Sequence, residues 1–561
     1  MKLNFLGILV LSLAWLLPNH YLPWVNFHSE SLTFLGLAAL CFATIKRTSV
    51  GFPAPAVATC ALALAAVPWV QYASGLGFYS GDAFMSSFYV AGFAAAISIG
   101  SAQGASRESI DSIPWLLPAQ VLLTAAVISA LLAFLQWLSL TDGISTFVAT
   151  TDIGDRAMAN LGQPNQLGTL LLMGLGALVL MFELFNISYL LLVLGSLVIN
   201  WGIVLTESRT AMLSALAMAT FLAFKAHARV LSGQPLRLCL RDILLWAISF
   251  ILALQALHWI NAALLLDRGR STSLLNSNGR VAIWMQSLYA IKESPWVGYG
   301  WNQTSAAQAT GALFYPGDLA FTNAHNLVLD LMAWVGVPFG LAITGGFAYW
   351  LYIRARAVKS TGAIYAVVLL IPVLVHSMFE FPFAYAYFLV MVGFLIGIIE
   401  SDYPSKMSIT VPKRVAVVGL TVITVIGIYA AYEYLLIEED YRIARFENLK
   451  VGRTEEGYVP PPIFMHTQMA ALLTALRQPA VRQMDDVQLE RLRQVSIRFG
   501  LRPLVFRYAL ALGLNGEPVA AAKQMLVFRG MFGERAYQGF KLELRGMQAA
   551  QYPELAAIQL P

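Results

Sequence analysis

Asn323-Ala324-His325-Asn326 closes the longest polar interruption in an otherwise apolar chain, the stretch from Leu264 to Asp330. The stretch holds Asp267, Arg268, Arg270, Asn276, Asn278, Arg280, Lys292 and Glu293, with Trp284, Trp296, Tyr299, Trp301 and Phe314 between them. Directly after His325 the sequence turns apolar again, so the imidazole is expected where a loop meets a membrane helix. A base at a lipid–water boundary, facing a loop with several arginines, suits chemistry on an anionic, lipid-linked substrate.

Working outward, the composition demands a membrane protein. Of 561 residues 58% are hydrophobic and 12% charged, and the mean hydropathy is +0.66. A soluble domain carries about twice that charged fraction. The apolar runs are continuous rather than alternating, and a helix of about 20 apolar residues crosses the hydrocarbon core. An all-α polytopic fold with about thirteen transmembrane helices is therefore expected. Its spans lie near 3–18, 31–45, 55–72, 84–100, 116–139, 166–184, 187–206, 209–224, 242–262, 325–353, 362–380, 384–400 and 414–434. Residues 1–18 end in Leu17-Pro18-Asn19-His20 with no small-residue cleavage site, so they read as an uncleaved first helix.

The net charge of +5 says less than its distribution. With the N-terminus in the cytoplasm, the cytoplasmic connections hold Lys46, Arg47, Arg107, Lys225, Arg229, Arg237, Arg241, Arg354, Arg356, Lys359, Lys406, Lys413 and Arg414. Before the C-terminal region the opposite face holds only Arg156, Arg209, Arg268, Arg270, Arg280 and Lys292. This bias obeys the positive-inside rule and puts both the 263–325 loop and the C-terminus outside the cytoplasm. Each outward arginine is then a candidate for retention by function. For Arg268 and Arg270 a plain loop or snorkelling charge weighs equally.

The outward face offers further polar groups. Leu161-Gly162-Gln163-Pro164-Asn165-Gln166 follows Arg156 and precedes an apolar helix, where a helix cap with a proline-set turn is the simpler reading. Thr206-Glu207-Ser208-Arg209-Thr210 makes a tight turn whose arginine stands at the unfavourable end of a helix dipole. His20 and His28 near Glu30 invite a metal, but no further ligand follows at useful spacing, and Tyr21 and Trp24 read as interfacial anchors. Cys41, Cys60 and Cys239 imply neither a disulfide framework nor a metal site.

From about Leu435 the composition changes. Stretches near 465–476, 485–499, 504–514, 517–530 and 534–549 read as short amphipathic helices broken at Pro479, Gly500, Gly513 and Gly533. Two domains are expected: 1–435, membrane-embedded and catalytic, and 436–561, an outward α-helical domain. Tyr508, Ala509, Leu512, Gly516, Ala520 and Ala521 in the latter resemble half of a tetratricopeptide-type hairpin.

No glycine-rich phosphate loop, HExxH or serine-centred nucleophile elbow is present. What remains is arginine, whose fork matches phosphate oxygens, and a histidine suited to general base work. Together they point to displacement of a (pyro)phosphate leaving group by a hydroxyl, without a metal or other cofactor.

Gly279-Arg280 with Trp284, Pro295-Trp296-Val297-Gly298-Tyr299-Gly300, and Asn323-Ala324-His325-Asn326 with Gly336 and Gly340 resemble the loop of the O-antigen ligase and polymerase superfamily. Leu161 to Gln166 and His376-Ser377-Met378-Phe379-Glu380-Phe381-Pro382 are similar to its bacterial O-oligosaccharyltransferase branch, the pilin glycosylation ligases. The resemblance implies a GT-C type inverting glycosyltransferase of the inner membrane, with its large loop and C-terminal domain in the periplasm. It would carry an oligosaccharide from undecaprenyl pyrophosphate to a serine or threonine of a protein such as a pilin. On the matching positions His325 would activate the acceptor hydroxyl, and Arg280, Arg209 and, less directly, Arg156 would hold the pyrophosphate. Gln163, Asn165, Asn323, Asn326, His376 and Glu380 would support the site; a buried hydrogen-bonded pair is the equal alternative for His376 and Glu380. The competing readings are an O-antigen ligase acting on lipid A–core, an O-antigen polymerase, and a lipid or glycan transporter. Against transport, the charges gather at the outward ends of spans rather than at their middles. Nothing in the chain points to nucleic acid.

Overall fold

The computed structural model describes residues 2–48, 51–105, 116–151, 155–185, 187–264, 278–403 and 407–560. Asp152, Asp267, Arg268, Arg270 and Asn276 lie outside the described residues. Among the described residues eight helices are long and apolar enough to cross a membrane, and the chain is a multi-pass, all-α membrane protein. The expected stretches are largely helical, but 55–72 is divided into Ala56–Leu64 and Val67–Ala73. Three of them form apolar helices of only 13, 17 and 16 residues, Lys2–Ala14, Tyr189–Leu205 and Thr361–His376.

The chain divides into two compact units. The first comprises Met1–Leu64, Tyr89–Thr272 and Tyr349–Gly427. Its central element is Pro164–Phe185, which packs against Leu116–Trp137, Tyr189–Leu205, Arg209–Leu231 and Thr361–His376. This helix is apolar on all sides, and such a helix belongs inside a bundle. Small residues permit the packing: a Cβ at Gly168 would stand 2.7 Å from Ala211 Cβ, and one at Gly176 would stand 2.9 Å from Leu369 Cδ2. The only strands described, Phe52–Ala54 and Ile409–Val411, form one antiparallel pair in this unit.

The second unit comprises Ala65–Phe88, Ser273–Ala348 and Ile428–Pro561. Here the expected continuous span 325–353 is broken. Leu327–Val335 ends at Gly336, which adopts φ 80°, and a new helix runs Val337–Ala357. The break has a partner in sequence. The segment Pro295–Gly300 lies against it, with Tyr299 N–H donating to Ala333 O (2.8 Å), Gly300 N–H to Trp334 O (3.1 Å) and Val337 N–H to Pro295 O (2.7 Å). A Cβ on Gly336 would collide with the Trp296 carbonyl oxygen. Gly336→Ala therefore meets both a left-handed backbone and a steric clash, and should destabilise this unit by about 2–4 kcal/mol. Thermal unfolding of the purified variant in detergent measures the loss; an unchanged midpoint would mean that the clash is relieved at no cost.

The C-terminal helices Thr467–Arg477, Asp486–Phe499, Arg502–Leu514 and Pro518–Ala550 match the expected segments, the last being kinked at Gly533 (φ 80°). They share a core with the loop region. Ala312 is buried among Phe506, Phe528 and Met531, and Tyr79 among Leu472, Leu492 and Leu504. Gln286 donates through Nε2 to Gly530 O (2.8 Å) and Tyr315 O (2.9 Å), and accepts from Gln308 Nε2 (3.0 Å). Arg498 grips Asp82 with both arms, Nε–Oδ2 at 2.7 Å and Nη2–Oδ1 at 2.6 Å, and Gln303 Nε2 donates to the same carboxylate. Removing one partner of such a buried pair strands the other charge, at about 3–5 kcal/mol. Asp82→Ala should thus lower the unfolding midpoint more than Asp82→Ala combined with Arg498→Leu. Equal losses would show that the pair is not coupled.

Candidate active site

In the first unit, Asn165 joins most of the sequence-singled residues. Its Oδ1 accepts from Ser208 Oγ (2.7 Å) and Arg156 Nη2 (3.2 Å), and its Nδ2 donates to Glu380 Oε1 (3.3 Å). Arg156 also donates through Nε to Thr206 O (2.6 Å). His376 is fully buried, with Nδ1 2.9 Å from Thr169 Oγ1, and that hydroxyl bonds to Asn165 O (3.0 Å). Arg156, Asn165, His376 and Glu380 therefore form one buried network, tied to the turn that carries Arg209.

That turn is shaped locally. Glu207 takes a positive φ of 44°, and Ser208 caps the helix Arg209–Leu231 by accepting from Ala211 N–H (3.1 Å). Arg209 opens the helix with an exposed side chain. A guanidinium in the first turn gains nothing from the helix dipole. Gln163 is half-buried at the N-cap side of Pro164–Phe185, where its carbonyl accepts from Leu167 N–H (3.1 Å). His20, from the first outward connection, approaches the Asn160 carbonyl (Nε2 to O, 3.0 Å).

In the second unit, His325 is half-buried and holds φ 53°, a left-handed conformation uncommon for a residue with a Cβ. Both flanks are pinned. Ala324 N–H donates to Asp330 Oδ1 (2.9 Å), and Asn326 Oδ1 caps Leu327–Val335 by accepting from Val328 N–H (3.0 Å) and Leu329 N–H (3.2 Å). Asn323 is buried beside them. Arg280 stands in the first turn of Asn278–Glu293, half-buried, and again at the end the helix dipole disfavours for a cation.

Sequence reasoning missed four residues of this architecture. Ser208, Thr169 and Thr304 are short hydroxyl side chains whose roles are local hydrogen bonds, and nothing in the sequence separates them from other serines and threonines. Asp330 had a signal: it is the one ionisable residue in the otherwise apolar helix Leu327–Val335. It is fully buried, and Thr304 Oγ1 donates to the same Oδ1 (2.9 Å).

Two family descriptions and two relatives match the chain. Residues 190–344 match the family described as O-Antigen ligase, and residues 364–544 match the family described as Virulence factor membrane-bound polymerase, C-terminal. The chain is 30% identical over 541 residues to a General O-oligosaccharyltransferase of Acinetobacter baylyi, covering 93% of this chain and 91% of that protein. It is 29% identical over 297 residues to the ComP-specific O-oligosaccharyltransferase of the same organism, covering 52% of each.

Proposed function

The chain belongs to the O-oligosaccharyltransferases of the O-antigen ligase superfamily, a group of glycosyltransferases, and from that premise we propose a specific reaction. It transfers an oligosaccharide en bloc from undecaprenyl pyrophosphate to a serine or threonine of a periplasmic, pilin-like protein. The enzyme is of the GT-C type, with about thirteen spans in the inner membrane and its site on the periplasmic face. The observation that carries this reading is His325: a base in a strained turn, pinned on both sides, at the start of a helix.

In the proposed step, His325 takes the proton of the acceptor hydroxyl as its oxygen attacks the anomeric carbon. The bond from that carbon to the pyrophosphate oxygen breaks on the opposite face, so the configuration inverts. Undecaprenyl pyrophosphate leaves with the electron pair, its charge met by Arg280 and Arg209. Arg156, held by Asn165 and Thr206 O, keeps the Arg209 turn in place. Gln163 would meet the donor beside that network. Asn323 and Asn326 hold the base, and His376 with Glu380 backs the first unit's network.

Arginine meets phosphate charge directly, so this site does not call on a divalent ion. Transfer by enzyme dialysed against EDTA should match the untreated rate within twofold. Loss of activity on chelation, with recovery on adding a divalent ion, would bring carboxylates such as Asp152 or Asp155 into the reaction.

The region 436–561 is proposed to lie in the periplasm and to position the protein acceptor, since paired helices present concave surfaces to peptides. Because these helices share a core with Thr304–Gly311, truncation would disturb the loop as well, and surface substitutions are the cleaner test. Charge reversal at the exposed Glu543, which lines a cleft of about 440 Å³, should raise KM for a folded protein acceptor more than for a short peptide. An equal effect on both would remove the acceptor role. The family description also admits ligation to lipid A–core or glycan polymerisation. Modification of lipid A–core and never of a protein would replace the main reading.

A further inference from the structure

The segment that lies against the helix break at Gly336 carries two apolar side chains that the protein leaves uncovered. Ser294 Oγ donates to Gly298 O (2.9 Å) and closes the chain into a turn, and Trp296 and Val297 form its tip, 76% and 54% exposed. The backbone beside the tip is held by the hydrogen bonds of Tyr299, Gly300 and Val337 across the break, and the Tyr299 hydroxyl donates to Ala290 O (2.8 Å). Just past the break Phe339 and Leu341 are exposed as well, in a helix with no charged residue before Arg354. On the other side of the tip stand Lys292 and Glu293, both exposed. Along the chain the surface thus passes from charged through aromatic to apolar, which is the order of layers at a membrane surface.

A second set of hydrogen bonds fixes the level of this tip. Val67–Ala73 ends the stretch Ala56–Ala73, one of those long and apolar enough to cross a membrane. Its Gln71 is buried, with Nε2 donating to Trp334 O (2.8 Å) and Oε1 accepting from Trp301 N–H (2.8 Å). The Trp334 carbonyl also accepts from Gly300 N–H, so the end of that stretch, the segment 295–301 and the break at Gly336 are tied together at one height. The end of a span lies where hydrocarbon gives way to headgroups. Trp69 and Val70, on the same short helix as Gln71, are exposed too. Left in water, these apolar side chains at one level would form an uncovered patch of the kind that marks an interaction surface. At the boundary of a bilayer they are matched, because the tryptophan ring is apolar and its N–H is polar.

We propose that Trp296 and Val297 are a membrane seat. They enter the headgroup–acyl boundary of the bilayer on the face where the stretch Ala56–Ala73 ends, and they hold the segment 295–301 and the Gly336 break at that depth. Lys292 adds a cation at the level of the lipid phosphates, where a long basic side chain is accommodated. The seat follows from the chain's own contacts and holds whatever glycan or acceptor the enzyme uses. Its consequence for the enzyme is depth. Leu327–Val335, capped by Asn326 directly after His325, ends at a point fixed to the bilayer surface, the level at which the phosphates of a membrane lipid lie.

Depth-dependent quenching tests the seat without recourse to activity. Full-length chain with Cys41, Cys60 and Cys239 replaced by alanine receives Val297→Cys or Val70→Cys, is labelled with bimane, and is reconstituted in vesicles of phosphatidylethanolamine and phosphatidylglycerol. Nitroxide lipids spin-labelled at the headgroup or near the end of the acyl chain, and iodide in the water, serve as quenchers. Both labels should lose more fluorescence to the headgroup nitroxide than to the chain-end nitroxide, and their depths should agree within roughly 5 Å, one helical turn. Leu216→Cys, exposed within Arg209–Leu231, supplies the reverse order as the reference for depth. A label at 297 quenched by iodide and by neither lipid overturns the seat. So does a label shielded from all three quenchers, the result for a protein partner or a second copy of the chain on the tip. If the cysteine-free chain does not fold, Trp296→benzoylphenylalanine in the parent chain decides the matter on irradiation in the same vesicles. Phospholipid adducts on the peptide that carries position 296 support the seat, and their absence, or adducts to protein alone, overturns it.

Discussion

His325→Ala is expected to lose transfer by about 10²–10⁴-fold, the usual contribution of a positioned general base. The variant should still insert in the membrane and still bind the lipid-linked donor, because the half-buried ring is not part of either unit's apolar core. The left-handed backbone at this position strains alanine as it does histidine, because the clash comes from the Cβ both carry, so the effect on folding should be small. Initial rates with a synthetic undecaprenyl-pyrophosphate oligosaccharide and a serine-containing acceptor measure it. Turnover within a few-fold of the parent enzyme would remove His325 from the chemistry.

The second large effect is expected at the arginines. Arg280→Ala and Arg209→Ala should each lower transfer by about 10- to 100-fold, the range for losing hydrogen bonds to a charged group. Lysine should restore only part, because a point charge cannot reproduce the planar fork on two phosphate oxygens. The loss should fall on donor KM as well as kcat, since the pyrophosphate is charged before and after transfer. Alanine variants with an unaltered donor KM and rate would end the clamp assignment for that residue. Arg156 should behave differently. Its contacts are to Asn165 and the Thr206 carbonyl, so its loss should resemble that of Asn165 rather than that of Arg209.

Much of this architecture is legible in the sequence because membrane helices advertise themselves through long apolar runs. Pro164–Phe185 and Arg209–Leu231 begin close to where hydropathy and the proline-set turn place them. The break at Gly336 was not legible. Hydropathy averages across it, and the reason for it lies about forty residues earlier, in the backbone of Pro295–Gly300. Motif residues 298 and 336 are glycine for one shared cause, the contact between these two segments: a Cβ at Gly298 would stand 2.5 Å from Ala333 O.

The C-terminal region shows the same limit. Its helices follow from periodicity, but their integration with the loop does not. The contact of Gly530 with Ala312 and the grip of Arg498 on Asp82 join residues hundreds of positions apart, and no local pattern encodes such pairs. Asp330 is an intermediate case. A lone carboxylate in an apolar helix was visible, while its hydrogen bonds to Ala324 and Thr304 needed the fold.

The central claim is en bloc transfer of a lipid-linked oligosaccharide to protein, and intact-mass analysis of an acceptor tests it most directly. The chain, a lipid-linked glycan pathway and a pilin-like acceptor are co-expressed, and the acceptor is purified and weighed. The account predicts a single added mass equal to the whole oligosaccharide, present with the parent enzyme and absent with His325→Ala. An unmodified acceptor alongside glycan-bearing lipid A–core, or sugars added one at a time, would contradict it.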